Sequence, residues 1–146
     1  MIDERIRRLR TDYESRPLST SHVADDPIEQ FDRWFGEAIA AEVDEPNAMI
    51  VSTVGSSGAP SARTVLLKAF DHAGFVFYTN AGSRKGDEIA VEPRVSLLFV
   101  WLTLHRQVRV DGSATRVSDA EADSYFASRP IEAQISAAAS PQSRVI

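Results

Sequence analysis

The chain has 146 residues, 43% of them hydrophobic and 25% charged, with a net charge of −5 and a pI of about 5.2. That length suits one domain with a real core, and the acidic balance argues against a nucleic-acid protein, which carries a basic footprint. There is no cysteine, which excludes disulfides, thiolate catalysis and Cys-ligated metals.

The segment 2–13 reads as a charged helix with a thin apolar stripe, Ile6 and Leu9, so 1–25 is expected to be a mobile N-terminal segment. It has no apolar run of signal-peptide type, and no stretch of the chain approaches the ~20 apolar residues of a membrane span. A soluble, cytoplasmic protein without membrane contact is the expectation. Asp26-Pro27 opens a helix, with Asp26 as cap, Pro27 at the first position and Glu29 at capping-box spacing. This helix, 26–43, carries Ile28, Phe31, Trp34, Phe35, Ile39 and Val43 at 3-and-4 spacing, which marks a buried stripe. Strands follow over 48–117: Ala48–Val54, 62–70, 74–79, Arg94–Trp101 and 107–117. Gly55-Ser56-Ser57-Gly58 and Asp71-His72-Ala73-Gly74 have hairpin-turn compositions. A short helix is expected at 83–91. Ser118 with Glu121 opens another that runs to Ser128, and Ile131–Ala139 continues the helical region 118–139. The tail 140–146 has no assignable structure. Short antiparallel strands joined this way point to a single mainly β domain with flanking helices, an α+β fold built as a small barrel.

Two cationic pairs stand out. Arg63 and Lys68 bracket Thr64-Val65-Leu66-Leu67, and Arg84-Lys85 opens the short helix. Strand alternation puts Arg63, Val65 and Leu67 on one face and Thr64, Leu66 and Lys68 on the other. A cation beside apolar packing needs an anionic partner, and helix starts favour anions. Together these features point to a phosphorylated small molecule; the plainer alternative is surface charge on a hairpin. His22, His72 and His105 show no metal-binding spacing, so no metal is expected. No nucleophile elbow, P-loop or dinucleotide fingerprint occurs, and no catalytic acid–base residue is assigned. The polar set Arg63, Lys68, Tyr78, Thr79, Arg84, Lys85, Gln107, Tyr125, Arg129, Gln142 and Ser143 suits ligand binding, with any reaction supplied by a cofactor.

Collinear motifs then carry a resemblance. They are Glu45-Pro46-Asn47-Ala48-Met49, the Arg63–Lys68 run, Phe75-Val76-Phe77-Tyr78-Thr79-Asn80 and Gly82-Ser83-Arg84-Lys85. Pro93-Arg94-Val95-Ser96-Leu97-Leu98-Phe99, Arg106-Gln107-Val108 and Tyr125-Phe126-x-Ser128-Arg129-Pro130 continue the series. The chain resembles the pyridoxamine 5′-phosphate oxidase family from about Leu9 to Ser143. The resemblance implies an antiparallel FMN-binding split β-barrel that forms a homodimer with FMN at the interface. The FMN contacts it implies are Arg63, Thr64, Val65, Leu66, Leu67, Lys68, Tyr78, Thr79, Arg84, Lys85, Gln107, Gln142 and Ser143. Arg63, Arg84 and Lys85 would take the phosphate. The substrate contacts it implies are Arg10, Tyr13, Lys68, Tyr125 and Arg129. The implied reaction oxidises pyridoxamine or pyridoxine 5′-phosphate to pyridoxal 5′-phosphate, with O2 as electron acceptor.

Family members continue beyond the position of Ile146, so the barrel is expected to be incomplete at the C-terminus and the chain to be a fragment. Ala133-Gln134-Ile135-Ser136-Ala137-Ala138 stands where the family has Ser-Gln-Ile-Gly-Ala-Trp. Losing the Ser hydrogen bond to a charged group costs about 1.5–3 kcal/mol, which weakens the substrate rather than the flavin. Two alternatives therefore accompany the oxidase: a non-catalytic module that binds FMN or pyridoxal phosphate, and a related flavin oxidoreductase with another substrate.

Overall fold

The computed structural model describes residues 18–139, so the expected helix at 2–13 and the tail 140–146 lie outside the described residues. Helix α1 spans Pro27–Ala40, and the Asp26 carboxylate caps it by accepting from the amides of Ile28 and Glu29. The helix ends three residues before the expected Val43. Glu42 adopts a left-handed φ of 53°, and the amides of Glu42 and Val43 return to the carbonyls of Ile39 and Ala38. That is a Schellman closure, built here without the usual glycine.

Strands β1 (Ala48–Val54), β2 (Pro60–Leu66), β5 (Arg94–Trp101) and β6 (Arg106–Ser113) form one antiparallel sheet in the order β2-β1-β5-β6. Strands β3 (Ala69–Asp71) and β4 (Gly74–Val76) form a separate hairpin. Helix α2 (Arg84–Val91) lies between β4 and β5, and α3 (Asp119–Ser128) and α4 (Ile131–Ala139) follow β6. Between β1 and β2, Gly58 takes a φ of +77°, a value that glycine adopts without strain. Among the described residues no helix is long and apolar enough to cross a membrane.

The register aligns one face of the sheet. Val51 sits opposite Arg63 on β2 and Leu97 on β5, and Leu97 in turn sits opposite Val110. At one end of this inner face the core is aromatic. Phe31 of α1 meets Phe70 edge-on at 4.8 Å and Phe75 at 4.9 Å, and packs on Phe99 at 5.0 Å. Ala38, Met49, Val51, Leu67, Leu97 and Trp101 belong to the same buried cluster. At the other end Thr53 is buried, Ser61 and Arg63 are half-buried, and α2 lies against β1.

Two expectations about the strands need correction. The strand expected at 62–70 is two strands. At the junction the Leu67 amide bonds to the Asn47 carbonyl and the Lys68 amide to the Val76 carbonyl, so the chain leaves the large sheet for the hairpin. The strands expected at 74–79 and 107–117 are shorter, because β3 gives β4 only three partners and β6 runs out of partner at Arg94. The barrel does not close among the described residues, since β2 and β6 remain edges of a four-stranded sheet.

Candidate functional site

The polar end of the inner face is built around one carboxylate. Ser83 caps α2, accepting from the Gly86 amide at 3.5 Å, and this places Arg84 and Lys85 in the first turn. Glu88 follows Arg84 by four residues and so shares its helix face. It is only 6% exposed. Its Oε2 accepts from the hydroxyls of Thr53 at 2.5 Å and Ser61 at 2.6 Å and from Nη2 of Arg63 at 3.0 Å. Its Oε1 accepts from Nε of Arg84 at 2.8 Å. Arg63 also donates to the Thr53 and Ser61 hydroxyls, each at 2.5 Å. Each hydroxyl therefore accepts from the guanidinium and donates to the carboxylate.

These bonds fix the charge of the site. Hydrogen bonds from Ser61 and Thr53 lead in holding Glu88 ionised, and Arg84 and Arg63 add to them, against the opposing effect of burial. Its pKa falls to about 2. Lys85 donates to Thr79 at 2.8 Å and to Ser83 at 3.2 Å. Burial, and then the nearby Arg63, lower its pKa. Three cations around one carboxylate leave two net positive charges.

Beside this cluster runs a cleft of about 950 Å³. Thr64, Val65 and Leu66 at the end of β2 line it with Lys68 just beyond, Tyr78 and Thr79 line it from the segment before α2, Lys85 from the first turn of α2, and Tyr125 and Arg129 from α3 and its end. The Tyr78 and Tyr125 rings stack with centroids 3.7 Å apart and planes 5° apart. The Tyr78 hydroxyl donates to Glu121 at 3.3 Å, and desolvation followed by that carboxylate raises its pKa. The structure thus brings together nine of the residues singled out from the sequence, from both the cofactor set and the substrate set.

The others sit elsewhere. Arg63 and Arg84 do not line the cleft and pair with Glu88. Leu67 is buried in the core and offers no side chain to a ligand. Gln107 lines a second cleft, with Trp34, Glu37 and His105. Arg10, Tyr13, Gln142 and Ser143 lie outside the described residues. Sequence reasoning missed Glu88, Thr53, Ser61 and Glu121. The four-residue step from Arg84 to Glu88 was the available signal for the first of these. Among the described residues no group of three or more His, Asp or Glu side chains could hold a metal ion.

A family model described as "Pyridoxamine 5'-phosphate oxidase" matches residues 35–146, which include the whole cleft and the Glu88 network. The chain belongs to the pyridoxamine 5′-phosphate oxidase family. Members of that family similar to it include a pyridoxine/pyridoxamine 5′-phosphate oxidase of Janthinobacterium sp. (strain Marseille), 51% identical over 138 residues. One of Cupriavidus pinatubonensis is 54% identical over 138 residues. Each alignment covers 94% of this chain and 65% of the relative, so the chain spans just under two thirds of the length of these oxidases. Among solved structures, PhzG from Burkholderia lata 383, in complex with tetrahydrophenazine-1-carboxylic acid, superposes with a TM-score of 0.85. It is 28% identical, and the match covers 90% of this chain and 66% of PhzG. A pyridoxamine 5′-phosphate oxidase-related, FMN binding protein from Nostoc punctiforme shares the fold at TM-score 0.60 and 19% identity, over 74% of this chain and 61% of that one.

Proposed function

We propose that this chain forms the flavin-binding part of an FMN-dependent oxidase that converts pyridoxamine or pyridoxine 5′-phosphate to pyridoxal 5′-phosphate. The observation that carries the reading is one cleft shared by Lys68, Tyr78, Thr79, Lys85, Tyr125 and Arg129, next to a cluster with two net positive charges. The donor set fits a flavin phosphate. Arg84 engages Glu88 through Nε alone, and neither of its Nη atoms has a hydrogen-bond partner among the described residues. Guanidinium and ammonium donors make the strong, charge-assisted bonds that a phosphate needs.

Arg63, Arg84 and Lys85 would hold the FMN phosphate, and the β2 end, Thr64 to Leu66, would line the flavin. Lys68, Tyr125 and Arg129 would take the substrate phosphate from the other wall. Bound there, FMN would supply a hydride acceptor that O2 reoxidises. The protein's part is to hold two phosphorylated rings in register and keep water from between them. Arg10 and Tyr13 would cover the substrate, and Gln107, Gln142 and Ser143 would complete the flavin contacts. A split barrel assembled as a homodimer, with FMN at the interface, belongs to the same reading. The exposure of Leu66 and Val100 on the outer face of the sheet supports it, because a second subunit would cover them.

A related flavin oxidoreductase with another substrate is the second reading. The superposition on PhzG, whose bound molecule is a tetrahydrophenazine carboxylic acid, favours it. So does Ala133, where the resemblance leads one to expect a serine hydroxyl. One experiment separates the two. FMN-loaded protein, mixed without oxygen with pyridoxamine 5′-phosphate, should lose its yellow absorbance and regain it in air. Retained colour with flavin bound leaves only the second reading and a non-catalytic binding module.

A further inference from the structure

We propose that Glu88 is a positioning residue for phosphate recognition, the internal counter-charge that holds Arg63 and Arg84 together, beside Lys85, as one anion site. The proposal rests on the reading of that cation cluster as the flavin phosphate site.

Glu88 does not line the cleft, and it is buried beneath the cations. All its hydrogen bonds face inward, to Thr53 on β1, Ser61 and Arg63 on β2, and Arg84 on its own helix. It therefore ties α2 to β1 and to β2, the strand that carries Arg63. The guanidinium of Arg84 is held by its inner nitrogen, while its side chain is 60% exposed and its outer fork stays available. A planar fork fixed at one edge is arranged for two parallel bonds to phosphate oxygens.

The charge balance supports the same role. Three cations this close repel one another; the proton affinity of Lys85 is lowered by burial first and by the charge of Arg63 second. Removing the carboxylate leaves three unbalanced charges and frees the Arg84 guanidinium, while Arg63 keeps its bonds to the Thr53 and Ser61 hydroxyls. Adding a second carboxylate would leave too little positive charge for a phosphate monoester, which carries about −1.5 to −2 at neutral pH. One buried carboxylate among three cations leaves a matching charge, already ordered before the ligand arrives. Preorganisation of this kind raises affinity by sparing the ligand the cost of ordering the site.

FMN and riboflavin, which differ by the phosphate, provide the test. Both are titrated by flavin fluorescence quenching into the unaltered protein, Glu88→Ala and Glu88→Gln, with circular dichroism verifying the fold. Glu88→Ala is expected to weaken FMN by roughly tenfold or more, the scale of one charge-assisted bond, and to leave riboflavin affinity unchanged. Glu88→Gln, which keeps one acceptor oxygen, should fall between the two and carries the test alone where Glu88→Ala does not fold. Equal weakening of FMN and riboflavin would reduce Glu88 to a packing role and overturn the proposal. Tighter FMN binding by either variant would also overturn it, because Glu88 would then be a competitor for the cations. Unaltered protein that binds FMN no better than riboflavin overturns the phosphate-site reading itself, and with it the role of Glu88.

Discussion

Strands β1 and β2 each run from one kind of environment to another along the same inner face. Near Met49 and Val65 the face is apolar, and the Phe31, Phe70, Phe75 and Phe99 rings pack over it. Toward Thr53 and Ser61 it becomes a hydrogen-bonded ion cluster around Glu88. The two ends are only a few residues apart along β1, yet different physics holds each. The aromatic end gains from burial, which is non-directional and tolerates small shifts. The charged end gains only if every donor and acceptor is matched, because a buried carboxylate without partners is costly. A sheet built this way can be anchored at one end and ligand-competent at the other.

Substitutions that separate the two ends test that division. The largest effect belongs to the aromatic end. Phe31→Ala removes the ring at the centre of the cluster and should cost about 3–5 kcal/mol in chemical denaturation. FMN affinity of the protein that remains folded should not change. Weakened flavin binding with little loss of stability would mean that the two ends are not independent.

The next effect belongs to the charged end. Arg63→Ala should weaken FMN by about 1.5–3 kcal/mol, the scale of a hydrogen bond to a charged group. Arg129→Ala should leave FMN affinity nearly intact and raise the apparent KM for pyridoxamine 5′-phosphate instead. The reverse ranking would show that the two phosphates have been assigned to the wrong walls of the cleft.

A smaller effect should appear in acid. The folded pKa of Glu88, about 2, lies below its ordinary value of 4.5. The unfolded chain therefore takes up the proton first as pH falls. The stability that Glu88 contributes is complete above pH 4.5 and is lost as pH drops toward about 2. Stability profiles of the unaltered protein and Glu88→Gln should converge over that window. Parallel profiles throughout would show that folding does not lower the pKa of Glu88.

The aromatic end was largely legible in the sequence, and the charged end only in part. Asp26-Pro27 and the stripe Phe31, Trp34, Phe35 announce α1 through contacts within a few residues. Strands β1 and β5 begin and end where their alternation implies. The break at Leu67 and Lys68 could not be read locally, because the side-chain pattern runs on while the hydrogen-bond partners switch to Asn47 and Val76. Glu88 escaped notice for a similar reason. Its hydroxyl partners lie 35 and 27 residues away, and only the sheet register puts them on one face. The cations themselves were visible, but the sequence could not show that two of them already share an internal carboxylate. Gln107 lies on β6 beside a second cleft, a placement that the motif alone does not give.

In the proposed site, Arg63 and Arg84 on Glu88, with Lys85 beside them, read a phosphate. Titration of the unaltered protein with FMN and with riboflavin at low and moderate salt measures that directly. FMN should bind at least roughly tenfold more tightly, and its advantage should shrink as salt rises, because charge-assisted contacts are screened. Equal affinity for the two flavins, or an advantage that ignores salt, would contradict the account.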